Sequence, residues 1–212
     1  LTVRTDLPGA LPASAIIAIG TAFSSNGTLD LNGCDQTVSQ LKRGVPTAGN
    51  RVVTSAAPAT LTVNGSTSTT YDGSLCGALG LTKSGSFTLT FSGTNNTFSG
   101  VTTVTAGTLD VGATTTLGNS VSVNVTGGTL RLRNATVIPD SSALRISSGG
   151  KVRIDAGEER VGALYLDGRR QRRGTYGASG SGARYTSDVY FNTSGAGVIN
   201  VLHGPEAVLL VR

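Results

Sequence analysis

The sequence predicts an all-β chain wound as a parallel β-solenoid, a single elongated domain. Three observations predict it. One phrase returns four times, as Gly27-Thr28-Leu29-Asp30-Leu31, Gly107-Thr108-Leu109-Asp110-Val111, Gly128-Thr129-Leu130-Arg131-Leu132 and Gly150-Lys151-Val152-Arg153-Ile154. Its last three copies begin at positions 107, 128 and 150, and so short a period marks stacked units that bury a core only through their neighbours. Glycine supplies 30 of 212 residues, Met and Trp are absent, and Leu, Val and Ile carry the apolar content, a β-rich balance. No run of Ala, Leu, Glu, Lys and Arg at a 3.6-residue period signals a long helix. Charged residues make up 14% of a patterned chain, which argues against disorder, and the length suffices for one elongated core.

In chain order, alternating or β-branched stretches predict strands at Ile16–Ile19, Thr28–Leu31, Thr60–Val63, Phe87–Phe91 and Thr102–Val104. Further strands are expected at Thr108–Val111, Val121–Val125, Thr129–Leu132, Ala143–Ile146, Lys151–Ile154 and Ala163–Leu166. Turn pairs separate them: Asn26-Gly27, Asn32-Gly33, Asn64-Gly65, Asp72-Gly73, Gly127-Gly128, Gly149-Gly150 and Asp167-Gly168. Such pairs also suit antiparallel hairpins, so a sandwich or barrel is the rival fold. The phrase returning every 20 to 22 residues favours the solenoid, with roughly seven to nine coils expected at that period. The solenoid is expected over residues 1–202, with a closing segment at 160–202 and a short tail at 203–212. The run Leu11 to Ala22 lacks a basic leader and contains Pro12 and Gly20. It reads as a strand between turns, and Ala207-Val208-Leu209-Leu210-Val211 is too short to span a bilayer. Without an initiator Met, the chain is expected to be a mature or excised segment of a larger protein.

Residues Leu81-Thr82-Lys83-Ser84-Gly85-Ser86-Phe87-Thr88-Leu89-Thr90-Phe91-Ser92-Gly93 and their continuation, Asn96-Thr97-Phe98-Ser99-Gly100-Val101-Thr102-Thr103-Val104-Thr105-Ala106-Gly107-Thr108-Leu109, carry a specific pattern. It resembles the autotransporter-associated (passenger-associated) β-strand repeat, centred here on residues 81–112. Phe87 stands where that family usually has glycine, and Phe98 replaces a tyrosine. The flanking Leu29-Asp30-Leu31-Asn32-Gly33, Asp35-Gln36-Thr37-Val38 and Gly174-Thr175-Tyr176-Gly177-Ala178 are similar to the surroundings of that repeat in large secreted bacterial proteins. The resemblance implies a right-handed parallel β-helix, extracellular or on the bacterial surface, in which the repeat assists passenger export and carries no chemistry.

The residues themselves offer little chemistry. The single histidine, His203, lies beside Gly204 and Pro205, and no G-x-S-x-G elbow could use it. C-x-x-C, H-E-x-x-H, EF-hand and calcium β-roll patterns are missing, so no metal and no cofactor is implied. Polysaccharide cleavage needs paired carboxyls roughly 5 to 10 Å apart. Asp30 and Asp110 occupy similar phrases and read as an exposed repeat position. Asp155, Glu158 and Glu159 follow a strand into a glycine-containing turn and read as a solvated loop.

The cations are the stronger lead. Net charge is +5. Arg131, Arg133, Arg145, Lys151 and Arg153 alternate with aliphatic residues, and on successive coils they would project in neighbouring rows about 5 Å apart. Arg169, Arg170, Arg172 and Arg173 cluster after Asp167-Gly168. Together these nine form a candidate site for acidic polysaccharide or lipopolysaccharide. Nucleic acid is the weaker partner, because aromatics are scarce and none interleave with these arginines. The bland alternative is a solvated charged face. Thr102, Thr103 and Thr105, with Thr114-Thr115-Thr116, resemble the threonine arrays of ice-binding solenoids, but their spacing is irregular. Cys34 and Cys76 are a candidate disulfide if they lie one coil apart, and free thiols if two. The sequons at Asn95 and Asn134 are expected by chance in so Asn/Thr-rich a chain. The sequence thus reads as a non-catalytic extracellular structural or surface protein, adhesive or self-associating end to end into filaments. Its alternatives are a polysaccharide-binding or polysaccharide-cleaving β-helix module and an export-assisting passenger spacer.

Overall fold

The computed structural model describes residues 1–20, 26–44 and 49–205. Residues 206–212 of the expected tail at 203–212 and the end of the Leu11 to Ala22 run lie outside them. The described residues contain no helix, and about 49% strand, wound into a β-solenoid of about 7 turns with mostly parallel sheets.

The largest sheet stacks β1 (Thr2–Arg4), β3 (Gly27–Asp30), β6 (Arg51–Asn64), β8 (Ser74–Ser84), β10 (Thr102–Val104), β12 (Ser122–Val125), β14 (Ala143–Ile146) and β17 (Ala163–Leu166) in parallel. Here β4 (Gln36–Val38) joins the second half of β6, and β18 (Arg169–Arg170) folds back antiparallel on β17. A second parallel sheet stacks β7 (Thr69–Tyr71), β9 (Thr88–Phe91), β11 (Thr108–Val111), β13 (Gly128–Leu132) and β15 (Gly150–Ile154). On the same side, β2 (Ile16–Ile19) pairs with β5 (Gln40–Arg43), and Thr69 donates its hydroxyl to the Leu41 carbonyl at 2.9 Å to join β5 to β7. A C-terminal sheet of β16 (Glu158–Val161), β21 (Val198–Val201), β19 (Gly174–Gly177) and β20 (Tyr185–Thr186) mixes parallel and antiparallel pairs.

The register explains the recurring phrase. Leu89, Leu109, Leu130 and Val152 stack in one inward column, and Tyr71, Phe91, Val111, Leu132 and Ile154 in the next. All nine are buried. One coil therefore supplies little core alone, and each aliphatic pair is covered by the coils above and below. The first copy does not share this face, since Gly27–Asp30 pairs with Arg51–Thr54 in the largest sheet. Its similarity to the later copies is local strand chemistry, not shared register.

Every strand expected from the alternation is present, within about one residue at most ends. The long strands β6 and β8 were not expected whole. In β6 the exposed Ala56-Ala57-Pro58 reads as a break, and the pairing with β8 does shift register between Ser55 and Ala59. Asp167 and Gly168 take positive φ of 46° and 76° and join β17 to β18 as a two-residue hairpin. Asn32 and Gly33 take similar angles, 50° and 76°, yet turn a coil corner into β4. The same dipeptide chemistry thus serves hairpin and solenoid, which is why it left the fold undecided.

Candidate functional site

The expected rows of cations divide between two faces. On the second sheet the outward column runs Thr70, Thr90, Asp110, Arg131 and Arg153. On the largest sheet it runs Thr62, Thr82, Thr103, Asn124, Arg145 and Tyr165. Arg145 is therefore separated from Arg131, Arg133, Lys151 and Arg153. Alternation places a residue inward or outward but does not say which sheet of the coil its strand joins.

Three arginines and two aspartates interlock on the second sheet. Asp110 accepts from Arg133 Nε at 2.8 Å and Nη2 at 2.6 Å, with Arg131 Nη1 at 3.5 Å. Asp155 accepts from Arg131 Nε at 3.0 Å and Nη2 at 2.7 Å, and from Arg153 Nε at 2.7 Å. Arg131 and Arg153 are direct neighbours in register, and the shared carboxylate offsets their repulsion. Burial alone would raise the Asp155 carboxyl, but the hydrogen bonds from Arg131 and Arg153 outweigh it and hold it below its ordinary range. The bond to Asp110 holds the Arg133 guanidinium above its own. Asp110 is only 4% exposed, so it is not the exposed repeat position the sequence suggests, and Asp155 is a bridging ion rather than a solvated loop residue. Lys151 is engaged separately, donating to the Asp188 carbonyl at 2.7 Å.

The remaining cations gather near the C-terminus. The Arg145 guanidinium lies 3.9 Å over the Tyr165 ring. The hairpin at Asp167-Gly168 carries Arg169 and Arg170 out on β18, with Arg172 and Arg173 following, and all four are exposed. Among the described residues none of them forms an ion pair with a carboxylate within 4.0 Å. Arg169, Arg170 and Arg172 line a cavity of about 490 Å³ with Tyr176, Tyr185 and Thr186. Arg184, which the sequence reading left out, lies 5.2 Å over the Tyr185 ring beside it.

Cys34 and Cys76 are free thiols. The candidate bridge fails because β6 intervenes: Asp30 pairs with Thr54, and Thr54 pairs with Cys76, two rungs or about 10 Å. The threonine run is likewise no exposed array, since Thr115 is fully buried. Thr62, Thr82 and Thr103 do stack in one column, but Asn124 ends the series on the next coil.

Three buried polar residues were missed. Lys83 occupies an inward column between Val63 and Val104 and has no exposed surface. Its ammonium donates to the carbonyls of Ser84, Gly85 and Ala106 at 2.8, 2.9 and 3.0 Å, 3.8 Å from the Phe87 ring centroid. Burial lowers its pKa to about 8. Asn96 ties neighbouring coils together, accepting from Leu75 N at 2.9 Å and donating to Gly93 O at 2.8 Å and Thr116 O at 3.2 Å. Glu159, expected in a solvated loop, is fully buried and accepts from the backbone N–H groups of Thr136, Val137 and Ile138 at 2.7, 2.9 and 2.8 Å. Burial raises its carboxyl despite those donors. The signal was present in the alternation itself, which puts Lys83 on the face of Leu81 and Glu159 on that of Val161.

Among the described residues no three His, Cys, Asp or Glu side chains converge in a way that could hold a metal, and no helix is long and apolar enough to cross a membrane. Residues 81–111 match the family model described as the passenger-associated-transport-repeat. No curated protein and no solved structure matches the chain. The matched stretch spans two successive rungs of both main sheets, from Leu81 paired with Thr102 to Phe91 paired with Val111. Two of its buried polar residues, Lys83 and Asn96, bind backbone in the interior. The chain is a β-solenoid that carries a passenger-associated-transport repeat at residues 81–111.

Proposed function

We propose that the chain is a non-catalytic, extracellular or surface-exposed β-helical scaffold, a segment of a bacterial passenger that presents a rigid face to its surroundings. The observation that carries this reading is the use of the repeat's polar side chains. Lys83 and Asn96 are buried and spend their hydrogen-bonding groups on carbonyl and amide groups of the chain itself. Asp110 and Asp155 are likewise held by arginines, which leaves them poor general acids. The passenger-associated-transport-repeat family is not an enzyme family and suggests secretion.

Adhesion fits this scaffold better than filament growth. A filament of stacked solenoids needs two ends that fit each other, and the described residues end differently, in the parallel edge strands β1 and β2 at one end and in a mixed sheet and the two-residue edge strands β18 and β20 at the other. The test has two arms. Antibody against the chain is expected to label intact cells that produce it. Incubation with acidic polysaccharides is expected to release no reducing ends, and release that Asp110→Asn or Asp155→Asn abolishes would overturn the reading.

A further inference from the structure

We infer that the cavity on the C-terminal sheet is a binding site for the anionic groups of an acidic polysaccharide. The sequence places nine cations in one candidate surface, but the structure distinguishes them by what they already hold. Arg131, Arg133 and Arg153 are ion-paired with Asp110 and Asp155, Lys151 donates to a carbonyl, and Arg145 lies over the Tyr165 ring. Among the described residues the guanidiniums of Arg169 and Arg172 have no such partner, and that of Arg170 reaches only the His203 carbonyl, at 3.5 Å. These three line one cavity of about 490 Å³ whose walls include no acidic residue.

The nearest carboxylate that senses them is Asp167, lowered chiefly by its bond from Tyr190 and only weakly by Arg169. Its oxygens accept from Tyr190 Oη and Ser148 N, each at 2.6 Å, and among the described residues it forms no ion pair with an arginine within 4.0 Å. It therefore leaves the arginines free to receive an external anion. Three guanidinium forks around one cavity suit carboxylate or sulfate groups, which they bind through paired charge-assisted hydrogen bonds. Thr186 and Ser187 add hydroxyls to the same wall, suited to sugar hydroxyls between the charges.

The aromatic pair argues against nucleic acid. Single-strand binding relies on free ring faces for bases. Tyr176 and Tyr185 stack on each other with centroids 4.8 Å apart, Arg184 covers Tyr185, and the Tyr176 hydroxyl donates to the Arg172 carbonyl at 2.9 Å. The pair therefore shapes the cavity floor and fixes the Arg172 backbone, and offers no platform. The site sits on the scaffold proposed above without depending on it, since a catalytic solenoid could carry the same cavity.

The test is calorimetric titration of the full chain with heparin, polygalacturonate and, as a control, single-stranded oligothymidylate. At least one of the two polysaccharides is expected to bind at low salt and to weaken as salt rises. The variant Arg169→Ser/Arg170→Ser/Arg172→Ser is expected to weaken that binding about ten-fold or more, while Arg131→Ser/Arg153→Ser leaves it unchanged. Hydrogen exchange on the unmodified chain guards against a misfolded variant. The bound polysaccharide is expected to protect amides at 169–177 and 184–187. Absence of binding by both polysaccharides, equal loss in the two variants, protection confined to 129–155, or oligothymidylate binding as tight as theirs would each overturn the proposal.

Discussion

At the scale of single residues, Lys83 shows how a cation can belong to a solenoid core. Its neighbours above and below are Val63 and Val104, so its methylene stem continues an aliphatic column while its head group meets three carbonyls. Two of those carbonyls lie at the turn into β9 and the third, of Ala106, at the turn into β11, where Gly107 leaves no room for a β-carbon: one would fall 2.3 Å from the Phe87 carbonyl and 2.8 Å from Nζ. Phe87, which departs from the family's usual glycine, closes this pocket with its ring. Replacing Lys83 by Met keeps the stem and removes the donors, and is expected to cost about 1–3 kcal/mol for carbonyls left unpaired. The pH dependence has a defined sign. With the folded pKa near 8 and the ordinary value at 10.5, the unfolded chain holds the extra proton between those limits, so wild-type stability rises across that interval. Urea unfolding of both proteins is therefore expected to show the deficit of Lys83→Met widening as pH rises from about 8 to 10.5; a constant deficit would mean that Lys83 titrates as an exposed lysine does. Glu159 is the counterpart of opposite charge. Its carboxylate gathers three consecutive N–H groups and holds Thr136 at φ 93°, a conformation that costs a β-branched residue about 1–3 kcal/mol.

At the scale of elements, stacking in register turns one outward residue per strand into a ladder whose chemistry changes along the axis. The second sheet passes from Thr70 and Thr90 through Asp110 to Arg131 and Arg153. Two arginines on adjacent rungs repel, and Asp155, placed just beyond β15, is the group that makes the pair tolerable. Asp155→Asn is expected to destabilise the chain by about 1–2 kcal/mol at low salt, with a smaller loss at high salt as the repulsion is screened. Urea midpoints at two salt concentrations measure this; a loss that ignores salt would assign the effect to packing instead. Because its carboxyl is held below the ordinary range, the contribution of Asp155 is complete above that range and fades only as pH falls through the lowered value. The inward half of each ladder was legible in the sequence, because Leu109, Leu130 and Val152 repeat at one spacing and alternation puts them on one face. The assignment of strands to sheets was not. Ala143–Ile146 and Lys151–Ile154 read alike in one dimension, yet a corner between them sends Arg145 and Arg153 to different faces. The arginine cavity was half legible, since Arg169 to Arg173 are adjacent in sequence, whereas Tyr185 and Arg184 reach them only through the pairing of β19 with β20.

At the scale of the whole molecule, the two ends differ, and that difference governs how copies can meet. At the C-terminal end β18 pairs with β17, β21 with β16, and Phe191 bridges to Val152 on β15, so the edges left there are β18 and β20, each only two residues long. At the N-terminal end β1 pairs only with β3, and β2 only with β5, so both offer unpaired backbone on their outer edges. Leu1, Val3 and Ile16 are exposed and line a largely apolar cavity of about 390 Å³ at the same end. Unpaired strand edges beside apolar side chains favour pairing with another chain. A contact that uses the same end on both partners is isologous and closes on itself, whereas growth needs two different surfaces. Self-association of this chain is therefore expected to stop at two copies joined through their N-terminal ends. Sedimentation velocity over a range of concentrations is expected to show monomer and dimer alone, with the dimer lost in Val3→Lys/Ile16→Lys. Fibres in electron micrographs, or dimers that survive both substitutions, would show that a second surface takes part. The arginine cavity lies on the opposite end of the solenoid, so dimers of this kind keep both cavities open and pointing apart.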